Sequence, residues 1–447
     1  MKCDQAQTEM IAYHRGELNE SEKKGLETHL AKCSHCRSEM EKARKVLEWT
    51  ESASSAVVIK RVHEVFENAI KAGASDIHFE PQSDDSLKVR FRVDGVMHHI
   101  DTIPSPERIA VITRIKMMSE MDIEETKMTQ DGRIAVRMVE GNKEYDLRVS
   151  CIPFVYGEGI VISIFDKSSA LIGMDKLGIY DDQLSTIKHL REQPMGMLLV
   201  SGLTGTGKTT TAYSMLKEFS YAQNKVVSVE DPVECTIEGV NQIQVNKNTG
   251  LTFANTLRAL MKHDPDIVMV NEIRDTETAN LCAHTALTGH LLIGLTIARD
   301  VQEAITRLRD YEIEDFLIGC SLIGILNQRL ARRICQNCKH EIEVDLDDPV
   351  IRAIGITSDD LVSHKIYRGE GCEKCRNTGY RGRIGIFEIL EIDSDLSRMI
   401  SASASEKEIM EKSREKGFFS MKDDAERKVL DGLTTPEEVF RVIWAAW

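Results

Sequence analysis

The sequence lacks any run of about 18 apolar residues, the length a helix needs to cross a bilayer. Its most apolar stretch, 316–326, is too short. No secretory apolar segment follows Met1 either, because Lys2, Asp4 and their polar neighbours interrupt it. Both absences point to the cytoplasm. Proline is scarce, at 9 in 447 residues, which argues against long disordered linkers. A basic excess is also missing. With a net charge of -15 and a pI near 5.4, the chain argues against non-specific binding to nucleic acid or anionic membrane as the main task, since counterion release needs clustered basic surface. Internal repeats, low-complexity tracts and an aromatic, basic platform for single strands are absent as well.

What is present suits several folded domains: 42% hydrophobic and 29% charged residues over a chain long enough for two to four of them. In a cytoplasmic setting the 11 cysteines read as metal ligands or buried thiols rather than disulfides. Cys151, Cys235, Cys282 and Cys320 stand alone and read as small apolar side chains, while the other seven fall into groups with ligand-like spacing.

The character of the chain changes along its length. Residues 1–50 are charged and helical in pattern, and a Ser/Ala break at 52–56 follows. Ile59, Val62, Phe66 and Ile70 then recur at helical spacing up to Gly73. Leu87, Val89, Phe91 and Val93 alternate with Lys88, Arg90 and Arg92, a half-buried strand closing on an Asp94-Gly95 turn. Ile134, Val136 and Met138 repeat the alternation to a turn at Gly141-Asn142, and Tyr145, Leu147 and Val149 return. A small α+β domain ending near Phe165 is expected. From Gly196 onward, apolar β runs at 197–200, 226–229, 267–270 and 291–296 alternate with helices, which predicts a parallel α/β core.

Gly202-Leu203-Thr204-Gly205-Thr206-Gly207-Lys208-Thr209 fits the phosphate-loop pattern G-x-x-x-x-G-K-[ST], between a strand at 197–201 and a helix at 210–219. Glycines let backbone N–H groups wrap phosphates at a helix N-terminus; Lys208 brings positive charge and the Thr209 hydroxyl can ligate magnesium, with Thr210 next in line. The 226–229 strand ends in Glu230-Asp231-Pro232-Val233-Glu234, and the 267–270 strand in Asn271-Glu272. Parallel sheets bind ligands at those strand ends, so Glu272 is the candidate for polarising an attacking water.

Two cysteine groups point to zinc. Cys335-x-x-Cys338 and Cys372-x-x-Cys375 supply a soft thiolate tetrahedron, with Arg332, Arg333, Lys339, Lys374 and Arg376 near enough in sequence to offset its charge. His29-x-x-x-Cys33-x-x-Cys36, with Cys3 upstream, offers a Cys3His set in which a helix brings His29 and Cys33 to one face; His14 and His35 are alternative ligands. The first 50 residues, including Tyr13 to Leu18, resemble the zinc-binding domain of anti-sigma factors.

An ordered series of motifs extends across most of the chain, from about Val57 to Asp431. It comprises Ala74-Ser75-Asp76-Ile77-His78-Phe79-Glu80-Pro81, Arg92-Val93-Asp94-Gly95, Gln130-Asp131-Gly132-Arg133, the phosphate loop, Glu230 to Glu234, Asp264-Pro265-Asp266 with Glu272-Ile273-Arg274-Asp275, Leu287-Thr288-Gly289-His290 and the late cysteine pairs. With these motifs the sequence resembles the GspE/PilB family of secretion and pilus assembly ATPases. The resemblance implies a PAS-like N-terminal domain hinged to a RecA-like domain, a ring of six subunits, Mg-dependent ATP hydrolysis, and work on an inner-membrane platform protein, with the chain peripheral to that membrane. It also implies phosphate-sensing roles for Arg133 and Arg148 and a catalytic role for His290. Assembly ATPases share the tetracysteine element and retraction types lack it. The zinc module at 1–50 stands where assembly ATPases carry a platform-docking domain, and its own partner is open. The sequence departs from the family at Ile297, where a second histidine is usual, and at Asn271, where glycine is.

The divisions expected are a zinc module at 1–50, a PAS-like domain at 57–165, a linker at 166–195, a RecA-like core at 196–331, a tetracysteine element at 332–390 and a helical region at 391–447. Two functions compete: a motor that hydrolyses ATP, and a nucleotide-binding regulator, weakened at Ile297, whose zinc module binds a signalling or transcription partner. A nucleic-acid translocase is disfavoured by the acidic balance.

Overall fold

The computed structural model describes residues 1–14, 17–138, 143–166, 172–219 and 221–444. It divides into two compact units, Met1–Asp166 and Lys167–Trp447. The turn expected at Gly141-Asn142 lies outside the described residues, as do Arg15, Gly16 and part of the expected linker.

The first unit opens with three helices, α1 (Cys3–His14), α2 (Glu20–Lys32) and α3 (Ser34–Ala53). Asn19 and Glu22 cap α2 reciprocally, and Ala6, Met10, Leu26 and Cys36 form a small core. α4 (Ala56–Lys71) starts at Ser55, whose hydroxyl accepts from the Val58 N–H, and buries Val58, Val62, Val65, Phe66 and Ala69. It ends as the spacing predicts, with Gly73 left-handed at φ +64°. β1 (Ala74–Pro81), β2 (Leu87–Val93), β3 (Val96–Ile103), β4 (Gln130–Arg137), β5 (Glu144–Phe154) and β6 (Gly157–Asp166) form one antiparallel sheet in the order β3-β2-β1-β6-β5-β4. Asp94 and Gly95, at φ 48° and 82°, make the left-handed turn between β2 and β3. α5 (Ser105–Met118) packs with α4 in the same core, which gathers Val62, Phe66, Ile77, Phe91, Val111 and Leu147.

In the second unit, α6 (Asp181–Arg191) precedes β7 (Gly196–Ser201), and α7 (Lys208–Leu216) follows it. β8 (Val226–Glu230), β9 (Asn241–Gln244), β10 (Ile267–Val270), β11 (Leu291–Thr296) and β12 (Leu322–Ile334) come next. β13 (Lys339–Ile342) and β14 (Ile366–Gly369) form a small separate pair, and β15 (Tyr380–Glu391) returns to the main sheet. The main order is β15-β12-β7-β11-β10-β8-β9, parallel except for the β12–β15 pair. Every residue of β7, β8, β10 and β11 is buried, as the continuous apolar runs require of a sheet covered on both faces. Leu199, Val268, Val270 and Leu292 face one apolar layer and Leu198, Val200, Met269 and Ile293 the other.

The sequence reading places a boundary at 331/332, but β12 runs through it and pairs along its length with β15. The tetracysteine element is therefore inserted between two strands of the main sheet. Among the described residues no helix is long and apolar enough to cross a membrane.

Candidate functional site

The phosphate loop leaves β7 at Gly202 and enters α7 at Lys208. Gly205 and Gly207 sit at φ 78° and 87°, the left-handed region that only glycine enters cheaply. A Cβ on Gly202 would lie 2.6 Å from the Gln328 carbonyl oxygen and from Thr206 Oγ1. The helix begins at Lys208, two residues before the start expected from sequence, because Gly207 turns the chain straight into it. Lys208, Thr209 and Thr210 thus form its first turn, where backbone N–H groups have no helical partner and attract an anion. Lys208 Nζ donates to the Gly202 and Leu203 carbonyls at 2.8 and 3.0 Å, folded back over the loop. Burial pushes its ammonium below the usual lysine range, and the nearby Glu272 carboxylate opposes that. Thr206 Oγ1 donates to the Leu203 carbonyl at 2.8 Å, stiffening the turn.

The three acids at the ends of β8 and β10 have different surroundings. Thr209 Oγ1 donates to Glu234 at 3.3 Å, so a hydroxyl and a carboxylate meet beside the loop, a hard-oxygen pair that suits Mg2+. Glu272, 24% exposed, is bonded by the Arg274 guanidinium, which that bond holds above its usual range; Asp231 lies close enough to act in the same direction. Glu230 departs from the expectation of a ligand. It is fully buried and accepts from Tyr213, Ser228 and Gln242, leaving it little capacity for anything else. The Tyr213 hydroxyl in turn accepts from the Glu234 N–H at 3.2 Å, so Glu230 fixes Glu234 through Tyr213.

His290 requires a correction. It precedes β11, and β11 runs parallel to β7 with Leu291 level with Gly196 and Thr296 level with Ser201. The histidine is therefore at the opposite edge of the sheet from the loop, about 20 Å away at ~3.3 Å per strand residue. Its Nδ1 is 3.2 Å from the Thr285 carbonyl and 3.1 Å from Thr288 Oγ1, a local turn contact. The position that does reach the phosphate edge of β11 is Ile297, 37% exposed and unable to bond to an anion.

Arg133 and Arg148 belong to the first unit. They stand directly opposite on β4 and β5, on the face away from buried Ile134 and Leu147, and Arg148 lies over the Phe165 ring at 4.1 Å. Like charges facing across a strand pair repel, and an anion between them relieves that.

Both cysteine groups come together, the four ligand atoms of each lying within 4.8 Å of one another. Tetrahedral zinc with Zn–S of about 2.3 Å sets its sulfurs about 3.8 Å apart. Cys335 to Cys372, Cys338 to Cys375 and Cys372 to Cys375 measure 3.9, 3.8 and 3.7 Å, which fits that ion closely. The Cys372 and Gly379 N–H groups donate to Cys375 Sγ at 3.1 and 3.3 Å. Arg332, expected to offset thiolate charge, instead binds buried Glu438 at 2.7 Å and stacks on Tyr380. In the N-terminal group, Cys33 ends α2 and begins α3; its Sγ lies 3.9 Å from Cys3 Sγ, and His29 Nε2 lies 3.2 Å from Cys36 Sγ. His35 is not among its ligand atoms, and the side chain of His14 lies outside the described residues.

Sequence reasoning did not single out Tyr213 or Gln328, and it quoted Arg274 within a motif without giving it a role. Tyr213 is buried beside a carboxylate, and Gln328 donates to the Thr206 carbonyl of the loop at 2.7 Å. For Gln328 the available signal was the polar pair Asn327-Gln328, which follows directly on the apolar run that ends at Leu326.

A family model described as Type II/IV secretion system protein matches residues 51–441, and a zinc-finger model matches residues 3–37. The chain is 42% identical over 393 residues to the type IV pilus assembly ATPase PilB of Thermus thermophilus, covering 88% of this chain and 43% of that protein. To the type II secretion system ATPase E of Vibrio cholerae it is 40% identical over 392 residues, covering 88% and 76%. It thus spans less than half the length of the first relative. A structure of the pilus retraction motor PilT with bound ADP aligns with a TM-score of 0.57 at 22% identity, over 85% of this chain and 95% of that one, a likeness of fold.

Proposed function

Because the chain belongs to the Type II/IV secretion system protein family, we propose that it is an ATP-hydrolysing motor subunit of a type II secretion or type IV pilus assembly machine. The observation that carries this reading is the glycine-built loop with Lys208 and the Thr209–Glu234 pair on one side and Glu272 near Lys208. ATP phosphates lie against the N–H groups of 202–210, including Gly202, Gly205, Thr206, Gly207 and Thr210, and Lys208 exchanges the loop carbonyls for phosphate oxygens. Thr209 and Glu234 would hold Mg2+, which when bound supplies charge neutralisation to the phosphates. Glu272, oriented by Arg274, aligns the attacking water and accepts its proton. The Asp231 carboxylate favours the charged guanidinium of Arg274, and Glu230 holds Glu234 in place through Tyr213.

Arg133 and Arg148 sense the phosphates during closure of the ring. The working assembly is a homohexamer at the cytoplasmic side of the inner membrane, acting on a platform protein, and each chain holds two zinc ions. The module at 1–50 recruits a further partner.

Titration with ATP tests the site directly. The full chain binds in the presence of magnesium, and Lys208→Ala abolishes binding; equal affinity in the variant contradicts the assignment of the loop.

A further inference from the structure

Gln328 has no part in any motif read from the sequence, yet it touches the phosphate loop at both ends. β12 pairs Asn327 with Ser201, so Gln328 stands level with Gly202, where the loop begins. The side chain is 2% exposed. Its Nε2 donates to the Thr206 carbonyl at 2.7 Å, and the same nitrogen lies 3.3 Å from where a Cβ on Gly207 would be. Its own main-chain oxygen closes the space beside Gly202, 2.6 Å from a Cβ there. The amide has one workable orientation, because the reverse would press its oxygen against the Thr206 oxygen. Oε1 is buried and finds no donor among the described residues, so no second hydrogen bond holds the side chain.

The consequence follows from peptide geometry. In a trans peptide the carbonyl and the next N–H point in opposite directions. With the Thr206 carbonyl drawn toward β12, the Gly207 N–H is turned away from β12 and into the concave side of the loop. Gly207, left-handed and without a Cβ, is the residue about which that peptide would otherwise turn most freely. Turned the other way, it would present an oxygen to the phosphate in place of a donor.

We propose that Gln328 is a positioning residue for the phosphate loop, locking the Thr206–Gly207 peptide so that the Gly207 N–H faces the phosphate before nucleotide arrives. The role rests on the nucleotide-binding reading given above. It is exercised through the loop, with no contact between Gln328 and the reacting atoms.

Two variants of the full chain test it. Gln328→Met keeps the length and removes the donor; Gln328→Glu keeps the shape and sets a carboxylate against the carbonyl. The readouts are Kd for ATP, KM and kcat for MgATP, and melting without nucleotide. Kd and KM should rise about fivefold in Gln328→Met, the worth of one neutral hydrogen bond, and further in Gln328→Glu, with kcat within about twofold of wild type. A purely structural glutamine would shift the melting curve and leave KM alone. Wild-type Kd and KM in both variants, whatever their melting temperatures, would overturn the proposal while leaving the nucleotide-binding reading intact. A wild-type chain without affinity for ATP would remove that reading and the role of Gln328 together.

Discussion

Glu388 is held by the Val301 N–H at 2.8 Å and the Met421 N–H at 3.3 Å, yet burial pushes its carboxyl up from an ordinary 4.5 to about 7. The folded state therefore keeps a proton that the unfolded chain releases, and stability falls as pH rises from about 4.5 to about 7. At about 1.4 kcal/mol per pH unit between those values, the loss is roughly 3 kcal/mol. Urea unfolding of wild type and Glu388→Gln at pH 5 and pH 8 checks this, since other groups titrate alike in both and cancel. The wild type should lose about 2.5 kcal/mol more than the variant across that interval, part of the loss lying below pH 5; parallel losses would refute the assignment. The geometry of the loop at 202–209 was legible because its residues are contiguous. Side-chain roles were misread where placement decides. Glu230 looks like any strand-end acid until Tyr213, Ser228 and Gln242 are seen around it. His290 was legible in principle, because a residue that precedes a parallel strand lies at the edge away from a loop that follows one.

Among elements, the four central strands were readable because each is a short, mainly apolar run, the pattern of a sheet buried on both faces. The β12–β15 pair was not, for two physical reasons. Its partners are separated by the whole cysteine insert, and its buried polar residues, Asn327, Gln328 and Glu388, break the apolar signal. That topology carries a prediction about zinc. Elemental analysis of the full chain should return two zinc ions, and Cys36→Ser and Cys375→Ser should each remove one. Loss of the ion at Cys375 should loosen the insert while ATP binding persists, because the loop is built from β7, α7 and the loop-facing part of β12. A wild-type content of one zinc would mean that one cluster, the N-terminal one, holds no metal.

For the whole molecule, the change of character read near Phe165 falls one residue before the Asp166 boundary between the compact units. It was visible because alternating strands give way to continuous apolar ones. Oligomeric state had no such local signature and came from resemblance alone. Light scattering in the presence of ATP should report six chains, and a strict monomer at micromolar concentration would contradict the ring. Steady-state ATP hydrolysis by the zinc-loaded chain with magnesium, compared with Glu272→Gln, reaches the central claim most directly. Turnover in the wild type and its loss by a factor of at least about 100 in the variant is the expected result, the scale on which a positioned base contributes. Equal rates in the two, at the level of buffer, would contradict a motor and leave a nucleotide-binding scaffold.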